Sequence, residues 1–351
     1  MNFLRKAAVA SLTSLLVLLL FAIAFDFGIM HSVGNADSVK KVLSDSGVYS
    51  TVLPDALNQA QKISTSSGDI PLTDPQVQTA AKSALTPTQI QTYANQAIDS
   101  IYAWLNGMTA EPNFQLDLSG VKAGFANNLA DVVQQRATSL PTCSDAASTA
   151  NFDAYNATCL PPGVTPADAA VAVRNQVLNG QGFLDKTTIS ANDLKGSGNN
   201  QSVFDGQLKQ LPKQYQRVKR APLLLSLVAV LTATGIVFLS SSRRRGVGRV
   251  GMALAIIGIF MLLFAWGLNR VTTNTLVPKI SINSAATQKE VRTVAIDLEQ
   301  AVDKNYWLFG ISYTILGGAI LASDWLLLSK LNRNSNNKPP KPPKPTVESL
   351  V

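Results

Sequence analysis

The sequence predicts a mainly α protein: four transmembrane helices plus a large, mostly helical extracytoplasmic domain with at most a short strand element. Three observations predict it. The apolar runs Ala7–Met30, Pro222–Ser240, Val247–Leu268 and Tyr306–Leu328 each hold about 19 to 24 residues, enough as helix to cross a ~30 Å hydrocarbon core. Residues 31–221 are polar, a stretch of roughly 190 residues and so the size of a whole domain. Within that stretch the apolar residues recur mainly at helical spacing.

The resulting order is a cytoplasmic N-terminus (1–6), helix 1 as a signal anchor (7–30), an extracytoplasmic α-rich domain (31–221) and helix 2 (222–240). A cytoplasmic Arg-rich loop (241–246), helix 3 (247–268), an extracytoplasmic loop and helical arm (269–305), helix 4 (306–328) and a cytoplasmic Lys/Pro-rich tail (329–351) complete it. Met1-Asn-Phe-Leu-Arg-Lys followed by Ala7–Phe25 resembles a Sec-type signal. Ala22-Ile23-Ala24 leaves cleavage after Ala24 open, and an apolar core of this length is expected to stay as an anchor.

Charge supports that orientation. The chain has 15% charged residues, below the ~25% usual for soluble domains, and its formal charge is +8. Arg5, Lys6, Arg243, Arg244, Arg245, Arg249, Lys330, Arg333, Lys338, Lys341 and Lys344 fall on the cytoplasmic side against Glu348 alone, and the two external segments are close to neutral. The basic balance is a positive-inside signal and not a nucleic-acid footprint. Lys209, Lys213, Arg217, Lys219 and Arg220, just before helix 2, pull the other way.

In the domain, Thr86-Pro87 starts a helix carrying Ile90, Tyr93, Ala97, Ile101, Trp104 and Leu105, which Gly107 closes. Phe114, Leu116 and Leu118 alternate with polar residues as a short strand. Ser119 opens a helix with Val121, Phe125, Leu129, Val132 and Val133 inward. Thr165-Pro166-Ala167-Asp168 opens another, with capping-box spacing, to about Asn179 and Gly180. Lys195–Gln201 reads as a flexible loop, and Gln207–Arg220 as a helix feeding helix 2. One continuous helix is expected from about Ser284 to Leu331, its first part an arm against the domain. The lysine-proline tail is expected as polyproline II.

Candidate site residues are few. Cys143 and Cys159 are expected to form a structural disulfide, because an oxidising compartment favours it and zinc would need further ligands. His31 is the sole histidine and is expected to be merely interfacial. Asp324 lies inside the last apolar run, where a carboxylate is costly. It is expected to face the bundle or the cytoplasmic surface, and no chain of such groups for transport is expected from the other spans. Gly310, Thr314, Gly318 and Ala322 form a helix-packing stripe, with Gly251 and Ala255, and Ala229 and Ala233, repeating the device. Trp266, Trp307 and Trp325 mark span ends. Arg243, Arg244, Arg245 and Arg249 set topology.

The segments Ala97–Gly107 with Leu116-Asp117-Leu118, and Leu140-Pro141-Thr142-Cys143 with Cys159-Leu160-Pro161-Pro162, resemble uncharacterised multi-pass bacterial membrane proteins. The resemblance implies a bacterial envelope origin and the disulfide, and no activity. The order of parts is also similar to ABC permeases of the lipoprotein-release and cell-division class. The short connection Ser240–Arg249 departs from them, since those permeases need a cytoplasmic surface for their ATPase.

No Gly-Xaa-Ser-Xaa-Gly, His-Glu-Xaa-Xaa-His or phosphate-binding loop occurs, and the domain has no histidine to act as a base beyond the interfacial His31. The sequence thus reads as a multi-pass cell-membrane protein presenting a non-enzymatic binding, adhesion or scaffold domain, with no cofactor or metal. Membrane lipids, an extracellular protein or glycan, and a second copy of the chain are the expected partners; nucleic acid is not. The alternative is a permease or transport-complex subunit.

Overall fold

The computed structural model describes residues 2–53, 70–144, 152–180, 184, 186–195, 202–206, 208–280 and 285–336, with the side chains of 2, 3, 285–287 and 324–336 excepted. The protein is mainly α. It divides into two compact units, a helical unit of Met1–Gly28, Arg220–Leu268 and Asp303–Val351, and a domain unit of Ile29–Lys219 and Asn269–Val302.

Local chemistry sets the domain unit's helices. Asn35 accepts from the Asp37 N–H to open α2 (Ala36–Asp45), after α1 (Asn2–Ser32). Asp74 caps α3 (Pro75–Ala84) through the Gln76 N–H. Thr86 and Gln89 form a reciprocal capping box at the start of α4 (Pro87–Leu105), where Pro87 loses no helical hydrogen bond. Gly107, at φ 75°, supplies the left-handed turn that ends α4. The Asp117 carboxylate accepts from the Ser119 N–H and opens α5 (Ser119–Ala137). Thr165 and Asp168 form the box of α6 (Pro166–Asn179), which Gly180 ends in an extended conformation.

These helices bury one face each. Val121, Phe125, Leu129 and Val133 of α5 meet Val77, Ala80 and Ala81 of α3 and Ala169, Val173 and Val177 of α6 in a single core. Val132, expected there, is only half-buried. Each large apolar side chain withdrawn from water stabilises by about 1.5–3 kcal/mol. A second cluster joins Trp104 and Leu105 of α4 to Phe114, Ala191 and Phe204. The expected strand is β1 (Gln115–Asp117). It pairs antiparallel with β2 (Thr188–Ser190), which sequence reading did not identify, with Leu116 opposite Ile189. Of the expected loop Lys195–Gln201, only Lys195 is described, bridged to Ser202; the remainder lies outside the described residues.

Among the described residues, four helices are long and apolar enough to cross a membrane, over Leu4–Ser32, Leu211–Leu239, Arg243–Lys279 and Gln288–Ser323. Their bounds correct the sequence reading at the loop between the second and third. Helix α7 (Leu211–Leu239) runs unbroken through Pro222, so the helix expected before the span and the span itself form one element. Residues Arg243–Gly246, expected as loop, already form the first turns of α8 (Arg243–Val271). Arginine is a good helix former, and Ser240–Ser242 alone make the reversal. A π-turn (Thr272–Leu276) and a 3-10 turn (Val277–Lys279) follow α8. The last helix, α9 (Ala285–Asn336), is continuous over 52 residues. Its portion up to Val302 belongs to the domain unit, where the Ser32 hydroxyl donates to the Ala301 carbonyl at 2.8 Å. The cap expected at Asn283 or Ser284 and the lysine-proline tail lie outside the described residues.

Candidate functional site

Cys143 and Cys159 are joined, with Cα atoms 5.1 Å apart. The surrounding backbone holds them in place. Cys143 N–H donates to Leu160 O and Leu160 N–H to Pro141 O, both at 2.8 Å, so the disulfide flanks a one-bridge parallel ladder. Closing a loop of this length stabilises by about 3 kcal/mol. Inside the loop Tyr155 is buried in the domain core, and the Arg136 guanidinium lies 5.1 Å from its ring centroid. Burial, reinforced by the Asp74 carboxylate, pushes the Tyr155 hydroxyl up to about 12. The arrangement clamps a long loop onto α5.

In the helical unit an aromatic cluster joins α1, α8 and α9. Tyr306 stacks on Phe25 at 6.1 Å and meets Phe264 edge-on at 5.5 Å, while Phe21 meets Phe260 edge-on at 5.6 Å. The Tyr306 hydroxyl donates to Phe25 O at 3.2 Å. Gly28 makes room, since a Cβ there would collide with the Tyr306 ring. Two carboxylates lie nearby in sequence: Asp26 within the first apolar run and Asp303 just before Tyr306. One oxygen of each is buried without a hydrogen bond. The expectation that the other spans hold no such group therefore overlooked Asp26. Asp324 lies on α9, outside the residues whose side chains are described.

The small-residue stripe is half right. A Cβ on Gly258 would stand 2.5 Å from Thr314 N and 2.8 Å from Gly310 O, so Gly310 and Thr314 do meet α8. Gly318 faces open space and Ala322 is exposed. Gly317 takes the expected place, with Ala255 N and Gly251 O at 2.5 and 2.6 Å from where its Cβ would be. A stripe extended strictly every four residues drifts off the contact face, because the helix repeats every 3.6. On α7 the same correction applies: Ala229, Thr232 and Ile236 are buried, and Ala233 is half-buried.

Several basic residues of this unit gather at the end of α7. Arg5 donates to the carbonyl oxygens of Leu239 and Ser240, where α7 leaves its last acceptors open. Arg249 and Arg245 donate to the hydroxyls of Ser240 and Ser241 at 3.4 and 3.2 Å. Arg243 lies over Phe238 at 5.9 Å. His31 is exposed, and its carbonyl accepts from the Ser38 hydroxyl at 3.1 Å. No group of three metal-ligating side chains occurs among the described residues.

Sequence reading missed a tyrosine pair in the domain unit. The Tyr102 hydroxyl donates to Val33 O and that of Tyr215 to Gly34 O, the latter at 2.7 Å, with the rings edge-on at 6.4 Å. Tyr102 stands one turn before the end of α4 and Tyr215 near the start of α7, a juxtaposition no local pattern encodes.

Comparison of the chain with protein-family models, with curated proteins and with solved structures gives no match.

Proposed function

We propose that this chain is a multi-pass cell-membrane protein that presents its domain unit outside the cytoplasm, as a non-enzymatic binding, adhesion or scaffold module of a bacterial envelope. The observation that carries this reading is the pairing of four apolar helices with a helical domain closed by a disulfide. Disulfides persist in oxidising compartments. The gathering of Arg5, Arg245 and Arg249 at one end of the helical unit supports the same orientation, with that end cytoplasmic.

Thiol labelling of intact cells with an impermeant reagent tests it. Labelling of Cys143 and Cys159 only after reduction is the expected result. Free thiols reached only after lysis would reject the orientation.

A transport-complex subunit is the second reading. It is favoured by α1, α7, α8 and α9, each of which has residues in both units without a helical break. An ATPase that copurifies in mild detergent would select it; an external protein or glycan partner without one selects the scaffold.

A further inference from the structure

The arginines around the α7–α8 reversal exceed what a topology signal needs. Lysine and arginine serve that signal alike. Here Arg5, Arg243, Arg244, Arg245 and Arg249 are all arginine, with Lys6 the one lysine among them. Nor does topology require the charges to meet, yet within the helical unit they do. Ser240–Ser242 alone reverse the chain, and Gly246 permits the tight approach, since a Cβ there would stand 2.5 Å from Val237 Cα. Three guanidinium groups from two helices then converge on residues 239–241. Arg5 of α1 donates to Leu239 O and Ser240 O, Arg249 of α8 to the Ser240 hydroxyl and Arg245 to the Ser241 hydroxyl. Three residues span at most about 10 Å, so like charges are held close together.

Nothing in the cluster balances them. Every one of those acceptors is uncharged, and the C-terminus of α7 contributes only about half a negative charge. Among the described residues Arg5, Arg243, Arg245 and Arg249 form no ion pair. Residues 1–25 and 206–289, which supply the whole cluster, contain no Asp or Glu. The helical unit's acidic residues are Asp26, Asp303, Asp324 and Glu348, and any one of them would offset a single charge. Arg245 and Arg249 are exposed, and each spends one of its five N–H donors on a serine. The remaining donors are open to an anion.

We propose that this cluster binds the phosphate of an anionic phospholipid. Arg245 and Arg249, one turn apart on α8, take its non-bridging oxygens, and Arg5 adds charge from α1. The planar guanidinium fork matches a phosphodiester, which a lysine ammonium meets only as a point charge. The neighbouring surface favours a lipid over a soluble phosphate. Val247, between the two ligands in sequence, and Phe238, under the Arg243 guanidinium, are exposed apolar side chains that acyl chains would cover. Basic pockets between membrane helices hold such headgroups. Phosphatidylcholine carries the same phosphodiester with a cation attached, which the cluster repels. This inference rests on the membrane reading proposed above and holds for either orientation.

The test equilibrates the full chain in mild detergent with equal amounts of phosphatidylglycerol and phosphatidylcholine, and weighs the intact complex by mass spectrometry. Ile259→Cys, on the exposed face of α8, carries an environment-sensitive fluorophore in vesicles as the report on the span; it is the single free thiol because Cys143 and Cys159 are bonded. Wild type should retain phosphatidylglycerol about tenfold over phosphatidylcholine, the factor that one charge-assisted hydrogen bond supplies. The charge-conserving variant R245K/R249K should lose most of that preference while position 259 stays lipid-quenched. Lipid quenching at 259 with no preference in wild type, or with the same preference in R245K/R249K, overturns the inference and leaves the membrane reading standing. Displacement of phosphatidylglycerol by an equal concentration of inorganic phosphate would make the cluster a free-anion site and overturn the lipid assignment. Water-like emission at 259 rejects the membrane reading itself.

Discussion

Gly317 and Gly251 bring α9 and α8 into backbone contact: a Cβ built on Gly317 would stand 2.6 Å from the Gly251 carbonyl oxygen. No side chain fits there, so the two helices pair through dispersion between bare backbones, a device suited to lipid where the hydrophobic effect between helices is absent.

Gly317→Val should therefore separate α8 from α9, destabilising the helical unit by about 1–3 kcal/mol as overpacking does elsewhere. Gly318→Val, one residue on, meets open space and should be silent. Thermal unfolding of the detergent-solubilised protein checks the pair; equal losses at both positions would show that the contact face is assigned wrongly.

Cys143→Ser should remove about 3 kcal/mol from the domain and free the loop that carries Tyr155. The midpoint of denaturant unfolding is expected to fall, and reducing agent should lower the wild-type midpoint to the same value while leaving the variant unchanged.

The Lys186 ammonium beside Asp193, with the N–H and hydroxyl of Ser190, holds the Asp193 carboxyl down at about 2. A depressed carboxyl contributes stability above its unfolded value of 3.8 and loses it as pH falls towards about 2. Asp193→Asn should lower stability at neutral pH and flatten the acid limb between those values. An acid limb unchanged by the substitution would assign the loss to other carboxylates.

Tyr155 gives the opposite limb. Its hydroxyl is raised from 10.0 to about 12 by burial and by Asp74, so the folded state favours the neutral phenol. Stability should decline as pH rises from 10 through about 12. Tyr155→Phe should abolish that decline, read as a stability difference from wild type that shrinks with rising pH.

The helical elements were legible where short-range chemistry decides them. Thr86 before Pro87, and Thr165 with Asp168, announce helix starts because a side-chain oxygen there can accept from the first free backbone N–H groups, and both helices start at these caps. Apolar length likewise revealed four long helices. Strand β2 stayed hidden because three residues pairing with β1 some seventy positions away leave no periodic trace. The packing stripe was placed on Gly318 and Ala322 by counting in fours, whereas the true face at Gly310, Thr314 and Gly317 follows the helical repeat. Asp26 escaped notice because a single carboxylate barely alters the apolarity of its run, and the Tyr102–Tyr215 pair because it depends on tertiary assembly alone.

The domain unit's composition from Ile29–Lys219 and Asn269–Val302 has a consequence for biosynthesis. A ribosome delivers the second piece only after helices α7 and α8 have been synthesised. The first piece must therefore wait, partly folded and with its disulfide able to close, until the Ser32 hydroxyl finds its acceptor at Ala301. Completion of the domain thus follows synthesis of both helices, and a truncation after α8 should leave a domain that oxidises but does not finish folding.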